Sequence, residues 1–296
     1  MDSDDQARAE VRLCTVPRRQ RADEYAMVLL AEGLTPRIAA LQRSFVLTVP
    51  EAEAERARSV LGEWTAERRS ERLARDEDPP PPLDLQPGII VSIALLAVFL
   101  VSGSRQAGGP WFEYGSADAA RILAGEGFRT VTALTLHADL LHLLSNVVAG
   151  TLFLGAVCGI LGAGVGSLLV LLAGAAGNLA NAMLYGSSHV SVGASTAVFA
   201  AVGILGGVGV VRRRRQGVAG RRAWLPFAAA FGLLAMMGMS ERTDVSAHFF
   251  GFVAGCLAGP VAGWALPEPP PRGIQWLAGT AGAGLVVSCW GVAFGG

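Results

Sequence analysis

The segment LLHLLSNVVAGTLFLGAVCGIL, residues 140–161, opens a run without Asp, Glu, Lys or Arg that continues to Val211. The run is 72 residues long, whereas a helix needs only about 20 apolar residues to cross the hydrocarbon layer of a bilayer. It is interrupted only by a turn around Gly159 and Gly162 and by the segment 185–189. The run therefore predicts three consecutive membrane-spanning helices.

Further apolar segments lie on both sides of this run. Four of them carry no charged side chain: residues 85–104, 223–240, 245–267 and 273–296. Glu268 and Arg272 lie in the proline-rich stretch between the last two. Together with the central run they predict seven spans, arranged as six plus one. Only 16% of all residues are charged, against about 25% in soluble domains. The predicted fold class is an all-α polytopic membrane protein that carries a small N-terminal α+β domain.

The arginines predict how the spans are oriented. Residues 212–215, 221 and 222 are all arginine and lie between the fourth and fifth predicted spans. Positively charged loops stay on the cytoplasmic side, which places the N-terminus in the cytoplasm. The acidic N-terminus also has no apolar signal region. We therefore expect an integral protein of a bacterial inner (cell) membrane with a cytoplasmic N-terminus.

The first 78 residues differ from the remainder of the chain in composition. Residues 1–86 hold 13 of the 24 arginines and 17 of the 24 acidic residues. Strand-like segments at 11–16 and 37–49 alternate with helical patterns at 22–32 and 51–69, which predicts a small α+β cytoplasmic domain over residues 1–78. Two roles stay open for it, regulation through a cytoplasmic partner or a purely structural appendage. A proline-rich linker is expected at residues 79–87.

Polar side chains of three spans are predicted to share one layer of the membrane. The second, fourth and sixth spans all run from the outer to the inner face, and each carries polar residues near its outer end. These residues are His137, His142 and Asn146 for the second span, Ser195 for the fourth and His248 for the sixth. Polar groups inside spans are costly to bury and are functional candidates by default.

The chemistry these residue types can perform is acyl transfer. A serine nucleophile needs a base to take its proton, and His248 is the natural base for Ser195. The developing oxyanion needs fixed donors, which His142 and Asn146 can supply from one helix face together with the Ser195 amide. Phe199 follows Ser195 by one turn, where it can pack against the imidazole of the base.

Several short motifs then resemble the rhomboid family of intramembrane serine proteases. They are Gly193-Ala194-Ser195, the pair His142 and Asn146, Ala247-His248-x-x-Gly251, His137 and Phe128-Arg129. The resemblance covers roughly residues 85–266. It implies a six-span catalytic domain over residues 88–266, with a linker and a seventh span at 267–296. It also implies a Ser195–His248 dyad without a third acid, an oxyanion site at His142 and Asn146, and supporting roles for His137, Phe199 and Gly193.

The implied activity is endopeptidase cleavage within or next to transmembrane segments of substrate proteins in the lipid bilayer. Three residues depart from the usual family pattern: Thr196 replaces glycine and is expected to narrow the oxyanion pocket, Phe199 replaces tyrosine and Phe128 replaces tryptophan. None removes a group that the mechanism needs, so we expect an active enzyme. No cofactor, metal or nucleic-acid partner is expected, because neither HExxH nor CxxC occurs.

Other interpretations of the same residues stay open. His142 and Asn146 could serve only as hydrogen bonds between helices, and the whole domain could be a non-catalytic scaffold that binds transmembrane segments. Gly251, Gly255 and Gly259 form a doubled GxxxG pattern, which predicts a close helix contact that brings His248 to Ser195. His189 and Asp244 are expected to be solvated in outer loops, and His137 to order the outer loop.

Overall fold

The structure is a computed structural model that describes residues 10–41, 44–77, 83–187, 189–218, 223–237 and 244–295. The chain divides into two compact units, Met1–Pro80 and Pro81–Gly296. Residues 79–82 of the predicted linker lie outside the described residues. The last residues of that linker are helical, because the first membrane helix already begins at Leu85. Pro87 is tolerated there because the first turn of a helix needs no backbone donor.

The N-terminal unit is a small α+β domain, as predicted. Its elements are β1 (Glu10–Val16), α1 (Arg19–Ala31), β2 (Arg37–Leu41), β3 (Ser44–Pro50) and α2 (Ala54–Glu77). The strands form an antiparallel sheet in the order β1-β3-β2. Leu47 and Val49 alternate on the buried face of the central strand. They pack on Leu29 of α1, while the rings of Tyr25 and Trp64 meet edge to face at 5.5 Å.

The second unit consists mainly of long apolar helices. They are α3 (Leu85–Ser102), α7 (Leu140–Leu161), α8 (Ala163–Tyr185), α9 (Ser195–Arg215), α10 (Leu225–Met237), α11 (Val245–Ala265) and α12 (Arg272–Gly295). Six helices among the described residues are long and apolar enough to cross a membrane. The protein is therefore an integral, polytopic all-α membrane protein.

The fifth predicted span corresponds to α10, which has 13 described residues. These 13 residues rise about 20 Å, whereas the hydrocarbon layer is about 30 Å thick. The remaining residues of the predicted span, 238–240, lie outside the described part of the chain, as do Arg221 and Arg222 of the arginine cluster.

The segment between α3 and α7 is folded, although it contains no span. It forms α4 (Pro110–Gly115), β4 (Ala117–Asp118), α5 (Ala119–Leu123) and α6 (Arg129–Thr132), and β4 pairs with β5 (Val190–Ser191) before α9. Arg129 is buried at its centre. Its guanidinium donates to Glu126 at 2.6 Å and to the carbonyls of Glu113 and Ser116 at 2.9 and 3.2 Å. One buried cation thus holds three parts of this segment together.

Glycines set the approach of α9 and α11, and the predicted GxxxG contact is confirmed. A methyl group on Gly251 would overlap the carbonyl oxygen of Thr196, and one on Gly255 would overlap that of Ala200. A Cβ on Gly259 would lie 2.5 Å from the carbonyl oxygen of Ile204. The contact therefore brings one backbone directly against the other, with both helices running in the same direction.

Candidate active site

Ser195 is the first residue of α9, and hydrogen bonds from two backbone N–H groups hold the turn before it. The N–H of Gly193 donates to the carbonyl of Ala133 at 2.9 Å, and the N–H of Ala194 donates to Nε2 of His137 at 3.4 Å. Gly193 has a φ of +129°, which side chains rarely adopt. A Cβ there would also lie 2.6 Å from Cε1 of His142. Glycine is thus required both by the backbone and by the neighbouring ring.

His248 lies in the first turn of α11, where its N–H donates to the carbonyl of Asp244 at 3.1 Å. The imidazole is buried and packs on the ring of Phe199, with centroids 4.5 Å apart and planes tilted by 35°. Because Phe199 lies one turn after Ser195 on the same face of α9, this packing places the imidazole beside the face that carries the serine. Gly251, one turn after His248, contacts Thr196, the residue that follows Ser195, and this contact fixes the same register.

His142 borders the serine from the other side. A Cβ on Gly193 would meet Nε2 of His142 at 2.7 Å and Oγ of Ser195 at 3.6 Å, so these two polar atoms flank the same small space. The backbone N–H of His142 donates to Asp139, which caps α7. The imidazole is therefore carried on the first, well-anchored turn of that helix.

Asn146 lies one turn below His142 and is 5% exposed. Its amide nitrogen donates to the carbonyl of His142 at 2.8 Å. An amide NH2 has two hydrogens, so one remains for another acceptor. The bond to its own helix fixes the orientation of the side chain.

The sequence predicts that His137 orders the outer loop, but its ring also contacts the turn before Ser195 directly. The side chain is fully buried, and its Nε2 accepts the Ala194 N–H next to the serine. Burial lowers the pKa of His137 to about 3, and the neighbouring His142 adds to this effect. The ring is therefore neutral at physiological pH, the form in which a histidine nitrogen can accept a hydrogen bond.

The expectation that Asp244 and His189 are solvated is wrong. Oδ2 of Asp244 lies 2.6 Å from Nε2 of His189 and accepts from Asn181 at 3.1 Å, while Oδ1 accepts from the N–H of Ala247 and the hydroxyl of Ser246. Burial acts to raise the pKa of Asp244, but these donors lower it on balance. The carboxylate thus caps α11 and ties it to the segment before α9.

Among the described contacts, Asp244 therefore makes no hydrogen bond to the ring of His248. Nδ1 of His248 is buried and has no hydrogen-bond partner among the described residues. Asn181, which the sequence argument did not single out, is one of the carboxylate's partners. Its position as a polar residue inside an apolar span is the signal that could have indicated it.

The comparison with protein families finds a match that includes the site. Residues 124–265 match the family model of the Rhomboid domain. The matched region begins shortly before α6 and ends with α11, so it contains every site residue described above. The N-terminal unit, α3 and α12 lie outside it. No match is found among the curated proteins.

Proposed function

We propose that the chain is an active endopeptidase that cleaves within or next to transmembrane segments of other proteins, because residues 124–265 form a Rhomboid domain and members of the rhomboid family are generally intramembrane serine proteases. The observation that carries this proposal is the convergence of α7, α9 and α11 at Gly193. There His142 and Ser195 flank one space, and His248 packs on the serine's own helix.

In the proposed reaction Ser195 attacks the carbonyl carbon of the scissile peptide bond while His248 takes the hydroxyl proton. The imidazolium then gives that proton to the leaving amine, which leaves an acyl-enzyme on Ser195. A water molecule, deprotonated by the same imidazole, attacks the ester carbonyl. The bond between the acyl group and Ser195 then breaks, the acid product leaves, and the imidazolium returns its proton to the oxygen of Ser195. Since Nδ1 of His248 is buried and unpartnered within the described part of the chain, we assign both transfers to Nε2.

The oxyanion that forms in each addition step requires donors fixed in advance. We assign this role to His142, to the second amide hydrogen of Asn146 and to the backbone N–H of Ser195. The last of these is one of the first-turn N–H groups that have no partner within their helix. The bonds from Gly193 and Ala194 to the segment before α7 hold this amide in place.

The unusual Thr196 is compatible with this assignment. Its methyl group lies 2.8 Å from where a Cβ of Gly177 would stand and 3.0 Å from that of Gly251. The extra volume is thus taken up between α8, α9 and α11, where two glycines make room for it. This arrangement supports an active enzyme over a non-catalytic scaffold.

We further propose that the N-terminus lies in the cytoplasm and the site opens toward the outer face of a bacterial inner membrane. Four consecutive arginines end α9, and Arg215 donates to the carbonyl of Trp264 at 2.7 Å. The guanidinium of Arg214 lies 5.1 Å from the ring of Trp224. Tryptophan is enriched at both membrane interfaces, and an excess of arginine marks the cytoplasmic one, which supports this orientation.

The deciding experiment treats the purified protein in detergent with a fluorophosphonate probe. We expect labelling of the wild-type protein, none of Ser195→Ala and none of His248→Ala, with all three unfolding at similar temperatures. A folded wild-type protein that neither reacts with the probe nor cleaves transmembrane reporters in liposomes would instead support the scaffold.

A further inference from the structure

The seventh membrane helix, α12, is anchored to the rest of the membrane domain at both ends. At its N-terminal end, Oε1 of Gln275 accepts from the N–H groups of Gly164 and Val165, both at 2.9 Å. Nε2 of the same side chain donates to the carbonyl of Leu161 at 2.9 Å. One amide thus satisfies backbone groups where α7 ends and α8 begins, groups that are costly to leave unpaired near a bilayer.

At the opposite end, Trp290 contacts the folded segment before α7. Its indole N–H donates to the hydroxyl of Thr135 at 3.1 Å. Its ring packs against Trp111 of α4, with centroids 4.9 Å apart. A Cβ on Gly115 would overlap the indole, so the glycine is what lets the ring lie this close. Trp290 is therefore held both by a hydrogen bond and by its shape.

Thr135 belongs to the short segment 133–137 that holds the turn before Ser195. Within that segment the carbonyl of Ala133 accepts the Gly193 N–H, and His137 accepts the Ala194 N–H. The Thr135 hydroxyl accepts from Trp290 and donates to the carbonyl of Thr132 at 2.8 Å. Two hydrogen bonds at Thr135, the backbone of residues 132–137 and the two bonds to the turn therefore connect α12 to the two residues that precede the serine.

We propose that Trp290 is a positioning residue for Ser195, acting through Thr135 on the turn at residues 193–194. The proposal rests on the protease function argued above. The proposal assigns a role in the reaction to α12, although this helix lies outside the region matched by the family model.

Small displacements of a nucleophile lower the reaction rate strongly, since a shift of about 1 Å can lower a rate about 100-fold. Loss of a single supporting hydrogen bond should move the turn by less than that. We therefore expect Trp290→Phe, which keeps the aromatic packing but removes the N–H, to lower kcat about tenfold. KM should stay within about twofold, because Trp290 acts on the serine and not on substrate binding.

The test measures the rate of fluorophosphonate labelling, together with kcat and KM for a transmembrane reporter in liposomes, on the full-length protein. Trp276→Phe is the matched control, because Trp276 lies on the same helix and its side chain is 75% exposed. Thr135→Val removes the hydroxyl at constant volume, and Thr135→Ser restores it. We expect Trp290→Phe and Thr135→Val to be slowed alike, the double variant no further, and Trp276→Phe and Thr135→Ser to react at the wild-type rate.

The outcomes separate the two proposals. If the wild-type protein reacts with the probe and both Trp290→Phe and Thr135→Val react as fast as the wild type, the positioning role alone is overturned. Additive losses in the double variant would also overturn it, because residues that act through one bond are not independent. A folded wild-type protein without reactivity overturns the protease function and the positioning role with it. Unfolding temperatures distinguish a misfolded variant, and Thr135→Ser then decides whether the hydroxyl matters.

Discussion

The rings of Phe199 and His248 lie 4.5 Å apart, on two helices that meet through glycine. The phenyl ring forms one wall of the imidazole's position. Phe199→Leu keeps an apolar side chain of similar size but loses the flat face, so we expect kcat to fall about two- to tenfold, which corresponds to the ~0.5–1.5 kcal/mol that such ring pairs contribute. Phe249→Leu is the control, because Phe249 lies on α11 but is 46% exposed. Equal activity of the two variants would show that the ring pair has no part in catalysis.

Gly193 and Gly186 both have positive φ values, +129° and +66°, but different surroundings. No atom of the described residues lies within 4 Å of a Cβ built on Gly186, whereas a Cβ on Gly193 meets the ring of His142. Alanine at either position strains the backbone by about 1–2 kcal/mol. We expect Gly193→Ala also to abolish labelling of Ser195, and Gly186→Ala to retain it. Comparable labelling of both variants would remove His142 from the space beside the serine.

The contact between α9 and α11 offers a direct test of helix spacing. A Cβ on Gly255 would overlap the backbone of Ala200, so Gly255→Ala should force the helices apart and lower the free energy of unfolding by about 1–3 kcal/mol. The added methyl group of Gly284→Ala on α12 meets no atom within 4 Å in the described part of the chain, so this variant serves as the control. Unfolding temperature and probe labelling measure the two consequences. Unchanged labelling in Gly255→Ala would mean that the reaction tolerates a wider spacing.

Asp244 predicts an acid dependence of stability. Its hydrogen-bond donors hold its pKa below the ordinary value, so folding favours the carboxylate. The resulting stabilisation is complete above the pKa of the unfolded state, about 4, and is lost as the pH falls through the lower pKa of the folded state. Asp244→Asn can still cap the helix but lacks the charge.

We therefore expect the wild-type protein to unfold at a higher temperature than Asp244→Asn at pH 7, and the difference to shrink at pH 3. Thermal unfolding at both pH values in one detergent measures it. Asp118, which caps the short helix α5, provides Asp118→Asn as a comparison. A difference between the wild-type protein and Asp244→Asn that is the same at both pH values would contradict the assigned state of the carboxylate.

The membrane helices and their contacts could be predicted from the sequence because the signals are local. The long uncharged run 140–211 indicates membrane-spanning helices, because a helix satisfies its own backbone hydrogen bonds in lipid. Glycine at every fourth position from Gly251 to Gly259 in α11 indicates a close helix neighbour. The packing of His248 beside α9 follows from that contact. The helix register then needs only the identity of the partner helix.

The polar contacts of the outer segments could not be predicted in the same way. Asp244, Asn181 and His189 come from three separate parts of the chain, and their meeting depends on how the loops fold. The same holds for His137, whose bond to Ala194 joins residues 57 positions apart. Pro87, which the predicted linker 79–87 includes, lies in the first turn of α3, where proline is tolerated.

The meeting of α9 and α11 backbone against backbone has a consequence for the bilayer around them. Side chains can change rotamer when lipids exert lateral pressure, but two main chains in direct contact have no such freedom. We expect bilayer thickness and acyl-chain order to govern how readily a substrate reaches the proposed active site, and to leave the rate of the proposed cleavage, once a substrate is bound, nearly constant.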